Sequence, residues 1–252
     1  MSLLRPGALP TYAWAGSRDL ADVPLSGWGI DPAPLAGVEP ALLPDSPSPQ
    51  PGDLVVLGHP RVRLMSAYFH EGWPFSRAAT WLRPGAAERV YRAAESLPTG
   101  FGLAIWDAWR DPDLQRSLHD TVYQDDTLPP GFVAYPDPQP SHCPPHATGG
   151  TADLTLTWHN VPLALGTLFD AFMPEAAADS LEPDGTPGPR LLRRLLGHAM
   201  ASQGFVVHPQ EWWHWEYGTR MWAAVTGADP LFGLTSPDPG RSGYTSAVTI
   251  SP

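Results

Sequence analysis

The stretch PHATGGTADLTLT, residues 145–157, decides the fold prediction because it joins a tight turn to a buried strand. Its glycine pair at 149–150 lets the chain turn sharply, and the apolar and β-branched residues that follow are typical of a strand. His146 precedes the turn, and Asp153 lies at the head of the strand. Either residue alone is more commonly a loop histidine or a strand-start turn residue. A ligand role for both therefore depends on a partner elsewhere in the chain.

The segments around this stretch alternate between helical and strand patterns. Apolar residues recur at helical spacing in AAERVYRAAESL, residues 86–97. Strands that neighbour one another without regular strand–helix alternation predict an α+β fold, an antiparallel sheet with flanking helices. The other predicted elements are a buried strand at 101–110, a helix at 111–123 with Asp111 or one of its neighbours as N-cap, two strands around a turn at His159–Asn160, an amphipathic helix at 191–205 with Gly204 as C-cap, and a hairpin of FVVH (205–208) with WWHWEY (212–217).

The two ends of the chain differ in composition from its middle. Residues 1–55 are dense in Pro, Gly, Ala and Ser and show no apolar period, which predicts an irregular arm whose Trp and Leu side chains can still pack on the domain. Residues 56–222 are predicted to form the folded domain, and residues 223–252 a Pro/Gly/Ser-rich tail. We expect the arm to cover part of the functional site and to restrict entry to small substrates.

Composition and charge exclude several classes of function. The net charge of −11 argues against a nucleic-acid partner, because such proteins present basic patches to the phosphate backbone. Cys143 is the only cysteine, so no intramolecular disulfide can form. No uncharged apolar run is long enough to span a membrane, and the first residues lack the apolar core of a signal peptide, so we expect a cytoplasmic protein. The sequence does not predict the oligomeric state.

The segment QEWWHWEY, residues 210–217, supplies the partner for the first stretch. Zinc binds imidazole nitrogen and carboxylate oxygen, and a catalytic zinc site uses three protein ligands and leaves a fourth position for water. His146, Asp153 and His214 make such a set. We therefore expect one zinc ion per chain, held by these residues.

Other polar residues have the types that hydrolysis of an amide requires. Glu211, close to His214 in sequence, can accept the proton of a metal-activated water without ligating the metal. The neighbouring tryptophans would exclude water and raise the basicity of Glu211. Arg110, just past a predicted strand end, can stabilise an oxyanion, and Asp107 can orient it through a bidentate pair.

Together these motifs resemble those of the VanX-type D-alanyl-D-alanine dipeptidases, which belong to a family of zinc peptidases. The family's metal motif, Ser-x-His-x-x-Gly-x-Ala-x-Asp, is matched at its histidine, glycine and aspartate, whereas Pro144 and Thr151 replace its serine and alanine. The family's Glu-x-x-His motif appears as EWWH (211–214), and its Asp-Ala-Tyr-Arg-Pro segment as DAWRDP (107–112). The resemblance covers about residues 60–218.

The resemblance implies a fold, an activity and further roles. It implies a Hedgehog/DD-peptidase-like zinc peptidase fold for residues 56–222. It also implies hydrolysis of D-alanyl-D-alanine or a similar D-configured dipeptide, in cell-wall turnover, recycling or glycopeptide resistance. Asp170, within LGTLFDAF (165–172), would bind the free amino terminus of the dipeptide. In the family the serine at the place of Pro144 helps to position the dipeptide, whereas proline offers neither a hydroxyl nor an N–H.

Other interpretations stay open beside this one. A carboxypeptidase or endopeptidase acting on peptidoglycan stem peptides would use the same residues, and a non-catalytic, zinc-stabilised binding domain occurs on the same fold. His142 and Cys143 lie close to His146, and a thiolate is a good zinc ligand, so a contribution from either is also open. The remaining histidines are predicted to be surface or satisfied core residues: His59, His70, His119, His159, His198 and His208.

Overall fold

The structure, a computed structural model, describes residues 20–50, 52–124, 133–183 and 186–238. The first part of the predicted arm and residues 239–252 of the predicted tail lie outside the described residues. In the described parts of the chain, no helix is long and apolar enough to cross a bilayer. The division into arm, domain and tail stays a prediction.

Helices and strands follow one another irregularly along the described residues. The α-helices are α1 (Ala67–His70), α2 (Pro84–Ser96), α3 (Pro112–Val122), α4 (Pro187–Ala201) and α5 (Arg220–Thr226). The strands are β1 (Val55–Val56), β2 (Val62–Leu64), β3 (Trp81–Leu82), β4 (Phe101–Asp107), β5 (Thr151–Trp158), β6 (Val161–Pro162), β7 (Val206–His208) and β8 (Glu211–Glu216). Short 3-10 helices lie at Leu20–Asp22, Pro140–His142, Pro145–Thr148 and Pro174–Ala176.

The central sheet has the strand order β2-β4-β5-β8-β7, and β6 pairs with the end of β5. Its described pairings are antiparallel, except that of β2 with β4, which is parallel. β1 and β3 form a separate antiparallel pair. The fold is therefore a mixed one, with a largely antiparallel sheet and flanking helices as the sequence predicts, and with one parallel pair that it does not predict.

Helix α2 confirms the helical pattern of residues 86–97. It begins earlier, at Pro84, because proline suits the first turn of a helix, where its missing N–H is not needed. Val90, Ala93 and Ala94 are fully buried, and the helix packs against β4 and α4. The apolar spacing in the sequence thus marks the face that covers the sheet.

Helix α3 begins where the sequence predicts it. Asp111 is its N-cap and accepts a hydrogen bond from the backbone N–H of Asp113 at 2.9 Å. The preceding strand is shorter than predicted, because β4 ends at Asp107 and not at residue 110. A register shift between Ile105 and Asp107 interrupts the pairing of β4 with β5, and the chain then leaves the sheet. Arg110 therefore lies in the connection between strand and helix.

Helix α4 corrects two expectations. It begins at Pro187, before the predicted start at residue 191, again with proline in the first turn. It ends at Ala201, so Ser202 and not Gly204 is its C-cap. Gly204 has a φ of 81° and belongs to the turn that follows the helix. The left-handed conformation that favours glycine is therefore needed beyond the cap rather than at it.

The predicted hairpins are confirmed in the second half of the chain. His159 and Asn160 form the turn between β5 and β6 with φ values of 48° and 62°, as a two-residue hairpin turn requires. β7 and β8 form the second hairpin. Helix α5, which follows β8, was not predicted; its N-cap Thr219 accepts a hydrogen bond from the backbone N–H of Trp222.

The described part of the arm packs on the rest of the chain although it is irregular. Leu35 is buried. Gly37 lies so close to Pro209 that a Cβ at this position would stand 2.3 Å from Pro209 Cα. The backbone N–H of Ser46 donates to the carbonyl of Ser141 at 2.8 Å. These contacts fix the arm on both sides of residues 38–45.

The sheet brings two acidic side chains and one histidine into a single row. Asp107, Asp153 and His214 are cross-strand partners on β4, β5 and β8. The register shift after Ile105 places Asp107 opposite Asp153, where regular pairing would place Trp106. Cross-strand partners project to the same face of a sheet, so this row is the base on which the candidate site is built.

Candidate active site

A buried cluster of metal-ligand side chains lies at this row. His146 Nε2 is 3.2 Å from Asp153 Oδ2, and His214 Nδ1 is 3.1 Å from Asp153 Oδ1. One potential ligand atom from each of these residues lies within 4.8 Å of the others. The structure therefore brings together the predicted metal ligands.

His146 reaches the cluster from the short 3-10 helix Pro145–Thr148, which precedes β5. Gly149 follows with a φ of 74° and turns the chain into the strand. At Gly150 a Cβ would stand 2.3 Å from the backbone oxygen of Tyr217, so a side chain does not fit. Glycine is thus required at 149 for a left-handed backbone and at 150 because no side chain fits there.

Each histidine of the cluster uses one ring nitrogen to bind an acceptor. His146 Nδ1 lies 2.6 Å from the backbone oxygen of Ala108, and His214 Nε2 lies 2.9 Å from Glu216 Oε1. A ring nitrogen that faces an acceptor carries a proton, so the other nitrogen of each ring, when it has no proton of its own, directs a lone pair towards Asp153. Among the described residues, no group meets the geometry of a hydrogen bond to the buried Asp153 Oδ1, although His214 Nδ1 lies 3.1 Å from it. Because converging lone pairs repel one another unless a cation lies between them, these residues fit a metal ion.

The electrostatics of the cluster also favour a positive charge. Burial raises the pKa of Asp153, but His146 and His214 lower it well below its usual range. Burial lowers the pKa of His214, yet Asp153 and Glu216 raise it well above its usual range. A proton or a metal ion can supply this positive charge. A divalent metal does so while the histidine nitrogens that face Asp153 stay unprotonated and can act as ligands.

Glu211 lies beside the cluster. Its Oε2 is 3.6 Å from His214 Nδ1, and its side chain is buried. Residues three apart on a regular strand face opposite sides, but the pairing of β8 with β7 shifts between Val207 and His208 and lets the two side chains meet. Burial raises the pKa of Glu211 to about 8, with a further rise from Asp153 and an opposing effect of His214. Glu211 can therefore exchange a proton near neutral pH.

Arg110 is buried and contacts several side chains of the site. Its Nε donates to Asp107 Oδ2 at 2.8 Å, and its Nη1 donates to Gln115 Oε1 at 2.8 Å. Its Nη2 lies 3.4 Å from both Tyr68 Oη and Asp153 Oδ2. Asp107 thus accepts a single hydrogen bond from the guanidinium rather than the expected bidentate pair, because the other nitrogens face Gln115, Tyr68 and Asp153. Arg110 presents a fixed positive charge at the edge of the cluster.

Asp170 lies in the deep part of the same site. Its Oδ2 accepts a hydrogen bond from Tyr68 Oη at 2.7 Å. Burial raises its pKa to about 7; Asp153 adds to the rise, and Tyr68 and Arg110 oppose it. A cavity of about 40 Å³ connects Asp170 with the metal-ligand cluster. Because the partner of Asp170 is a neutral hydroxyl, the carboxylate can still bind an ammonium group.

A larger cleft, of about 480 Å³, adjoins the cluster. Glu211 and His214 line both the cleft and the deep cavity, so the two spaces meet at these side chains, whereas His146 and Asp153 line the deep cavity alone. Residues 39–43 of the arm also line the cleft. The arm therefore reaches the candidate site, where the sequence analysis expected it.

Cys143 and His142 stay outside the metal-ligand cluster. Cys143 is buried beside Ala147 and Leu234, and burial raises the pKa of its thiol to about 12. His142 lies 3.0 Å from Asp137 Oδ2. Neither belongs to the group of described residues whose ligand atoms converge on one point.

Three side chains that contact the predicted residues were not predicted themselves. Glu216 follows His214 at strand spacing, so the alternation of side chains along β8 could have revealed it. Gln115 and Tyr68 come from α3 and α1, and no pattern in the sequence connects either to the site. Their contacts are Glu216 with His214, Gln115 with Arg110, and Tyr68 with Asp170 and Arg110.

The chain is similar in sequence to known hydrolytic enzymes. A D-alanyl-D-alanine dipeptidase from Synechocystis sp. is 30% identical to it over 122 residues. That match covers 44% of this chain and 47% of the relative, so the chain spans about half the length of the relative that it matches. The sequence profile of the D-ala-D-ala dipeptidase family matches residues 85–227, which contain the cluster, Glu211, Arg110 and Asp170. Because this profile covers more than half of the chain, the chain belongs to the D-ala-D-ala dipeptidase family.

Proposed function

We propose that the chain is a zinc-dependent dipeptidase with a Hedgehog/DD-peptidase-like fold, and that it hydrolyses D-alanyl-D-alanine or a similar D-configured dipeptide. The proposal rests on the position of Glu211 beside the cluster of His146, Asp153 and His214, which would hold one zinc ion. Zinc takes such a set of nitrogen and oxygen ligands and keeps a further position open. The family relation supports the substrate class, and with it a role in the turnover or recycling of cell-wall dipeptides.

Glu211 has the central part in the proposed reaction. Zinc, when bound, supplies a Lewis acid that polarises the scissile carbonyl and acidifies a water molecule. Glu211 takes a proton from the attacking water and later passes it to the leaving amine, a task that its raised pKa suits. Trp212 and Trp213, both buried on β8, keep solvent away from this side of the sheet.

The deep cavity would bind the amino-terminal half of the dipeptide. Asp170 would accept the substrate ammonium, and Tyr68 holds the Asp170 carboxylate in place through its hydroxyl. Arg110 directs Nη2 towards the cluster and would stabilise the negative charge that develops on the carbonyl oxygen. The cavity volume of about 40 Å³ favours a small side chain next to the ammonium.

Two other functions would use part of the same site. A stem-peptide carboxypeptidase or endopeptidase needs an open groove for the chain that precedes the scissile bond, whereas the cavity at Asp170 is small. It would also act outside the cytoplasm. A non-catalytic binding domain needs the metal ligands but does not need an acid–base residue at the place of Glu211. The three functions therefore predict different effects on hydrolysis when Glu211 or Asp170 is replaced.

The first experiment measures release of D-alanine from D-Ala-D-Ala by the zinc-loaded chain. It compares the native protein with Glu211→Ala, with a chelator-treated sample and with the control Glu88→Ala. Glu88 is an exposed glutamate of α2, away from the site. We expect release that needs both zinc and Glu211 and that Glu88→Ala leaves unchanged.

The other outcomes separate the competing functions. Binding of one zinc ion without any release would favour a stem peptide or a binding role, and stem-peptide fragments then decide between them. Release that survives full removal of the metal would overturn the zinc mechanism.

A further inference from the structure

The outer cleft has a wall that lies outside the matched family region. Residues 39–43, EPALL, line the cleft together with Glu211 and His214, and they precede the family match at 85–227. We call residues 39–43 the strap. Asp170 lines the deep cavity and not the cleft, so the strap borders the space that remains for the second residue of a dipeptide whose ammonium is at Asp170.

The strap is held on both sides by contacts with the sheet and with α5. Before it, Gly37 packs directly against Pro209, in the turn between β7 and β8. After it, the carbonyl of Pro44 accepts a hydrogen bond from Arg220 Nε at 2.5 Å, and Ser46 is buried. A segment fixed at both ends keeps its position without burying its own side chains. Its apolar side chains are therefore available to a ligand.

The rim of the cleft exposes large apolar side chains. Leu42 is 86% exposed, Leu43 43% and Tyr135 67%, and all three line the cleft. A single exposed leucine is ordinary, but apolar side chains gathered around one cleft are typical of a ligand-binding groove. These three side chains would contact an apolar side chain of a ligand.

The deep cavity and the outer cleft differ in volume, and each would therefore accept a substrate residue of a different size. The deep cavity of about 40 Å³ suits a small amino-terminal residue, and the outer cleft of about 480 Å³ falls within the range of pockets that hold much larger ligands. With the substrate ammonium at Asp170, the scissile bond lies at the cluster and the leaving residue extends into the outer cleft.

We propose that the strap forms the pocket for the leaving, carboxyl-terminal residue of the substrate, and that this residue carries an apolar side chain larger than that of alanine. This inference rests on the proposed function, because that function places the scissile bond between the two cavities. The substrate class is then a dipeptide with a small amino-terminal and a larger apolar carboxyl-terminal residue.

The test compares D-Ala-D-Ala, D-Ala-D-Leu and D-Leu-D-Ala as substrates of the full zinc-loaded chain. We expect kcat/KM for D-Ala-D-Leu to exceed that for D-Ala-D-Ala, and the value for D-Leu-D-Ala to be lower than that for D-Ala-D-Ala by about tenfold or more. The double substitution Leu42→Ser with Leu43→Ser should lower kcat/KM for D-Ala-D-Leu about fivefold more than it lowers that for D-Ala-D-Ala.

Leu231→Ser is the matched control. Leu231 is 43% exposed, like Leu43, but it does not line the cleft. Its substitution should leave the ratio of the two substrates unchanged. Exclusion of D-Ala-D-Leu by the native chain would overturn the proposal, and so would an equal loss on both substrates in the strap variant.

Binding to zinc-loaded Glu211→Ala, measured by calorimetry, gives a second readout without turnover. Tighter binding of D-Ala-D-Leu than of D-Ala-D-Ala, lost when the strap leucines are also replaced, supports the pocket. This result combined with no hydrolysis by the native chain would reject the proposed function and keep the pocket. Hydrolysis of D-Ala-D-Ala without any preference that depends on the strap would keep the proposed function and reject the pocket.

Discussion

Glu216 accepts a hydrogen bond from Nε2 of His214, two residues before it on β8, at 2.9 Å. The second carboxylate oxygen of Glu216 accepts a hydrogen bond from Thr219, the N-cap of α5. The His214 ring is thereby held with Nδ1 towards Asp153. A carboxylate bound to the far nitrogen of a metal-ligating imidazole orients the ring and raises its basicity.

Replacing Glu216 should therefore weaken metal binding. We expect Glu216→Ala to lower zinc affinity about 10–100-fold, with a smaller loss in Glu216→Gln, whose amide oxygen can still accept from the ring. Competition with a chromophoric chelator measures the affinity, and Glu88→Gln serves as the control. Equal zinc affinity in the native chain and in Glu216→Ala would contradict this role.

Glu211 should affect turnover and leave metal binding nearly intact. Its carboxylate stands beside His214 Nδ1 and not within the cluster of ligand atoms. We expect Glu211→Gln to lower kcat about 10²–10⁴-fold, the usual contribution of a general base, with zinc affinity within a few-fold of the native value. Steady-state kinetics and the chelator competition measure the two quantities on the same preparation. A parallel loss of zinc would instead make Glu211 a ligand.

Asp170 should give substrate binding a characteristic pH dependence. Burial raises its pKa to about 7, so the carboxylate is ionised above this pH and neutral below it. Because an ammonium group binds the ionised form, KM for a dipeptide should rise as the pH falls through about 7, approaching tenfold per pH unit below it. Asp170→Asn should raise KM above that pH and remove this part of the dependence.

The measurement is KM for D-Ala-D-Ala between acid and alkaline pH in both proteins, with Asp120→Asn as an exposed control. Unchanged kinetics in Asp170→Asn would remove the ammonium site and favour a substrate without a free amino terminus.

Cys143 should be neither reactive nor a metal ligand. Its side chain is buried, and burial raises the pKa of the thiol to about 12, so the thiolate is scarce at neutral pH. We expect a thiol reagent to label the folded chain far more slowly than the urea-unfolded chain. Cys143→Ala should still bind one zinc ion per chain, and loss of the metal in this variant would return Cys143 to the ligand set.

Gly150 should not tolerate a side chain. A Cβ there would stand 2.3 Å from the backbone oxygen of Tyr217, and a backbone atom cannot move aside as a flexible side chain can. We expect Gly150→Ala to lower the free energy of unfolding by about 2 kcal/mol or more. Gly85→Ala is the control, since no atom lies within 4 Å of its added Cβ and alanine favours a helix. Urea denaturation compares the two variants.

The parts of the site that the sequence predicts are those set by local spacing. His146, the glycine pair and Asp153 lie on one stretch, and their turn and strand follow from residue types alone. The N-cap of α3 and the hairpin turn at His159–Asn160 are local in the same sense. In each case the residues that make the structure are also neighbours along the chain.

The parts that the sequence does not predict depend on pairing between distant segments. Asp107 lies close to His146 because a register shift in β4 places it opposite Asp153, and such a shift leaves no mark in the residue pattern. Tyr68 reaches the site only through the packing of α1. The sequence predicts that the arm covers part of the site but not which of its residues line the cleft, since an irregular segment carries no period from which its contacts could be inferred.

Because Asp107, Asp153 and His214 are cross-strand partners, this row forms only when the strands pair in their native register. If β5 were displaced by one residue, Asp153 would turn to the opposite face of the sheet and leave the two histidines without their carboxylate. A metal ion held at this place would then bind only chains in which β5 and β8 had paired in their native register. Metal binding would therefore follow assembly of the sheet, and it would stabilise the native strand pairing but not a mispaired sheet.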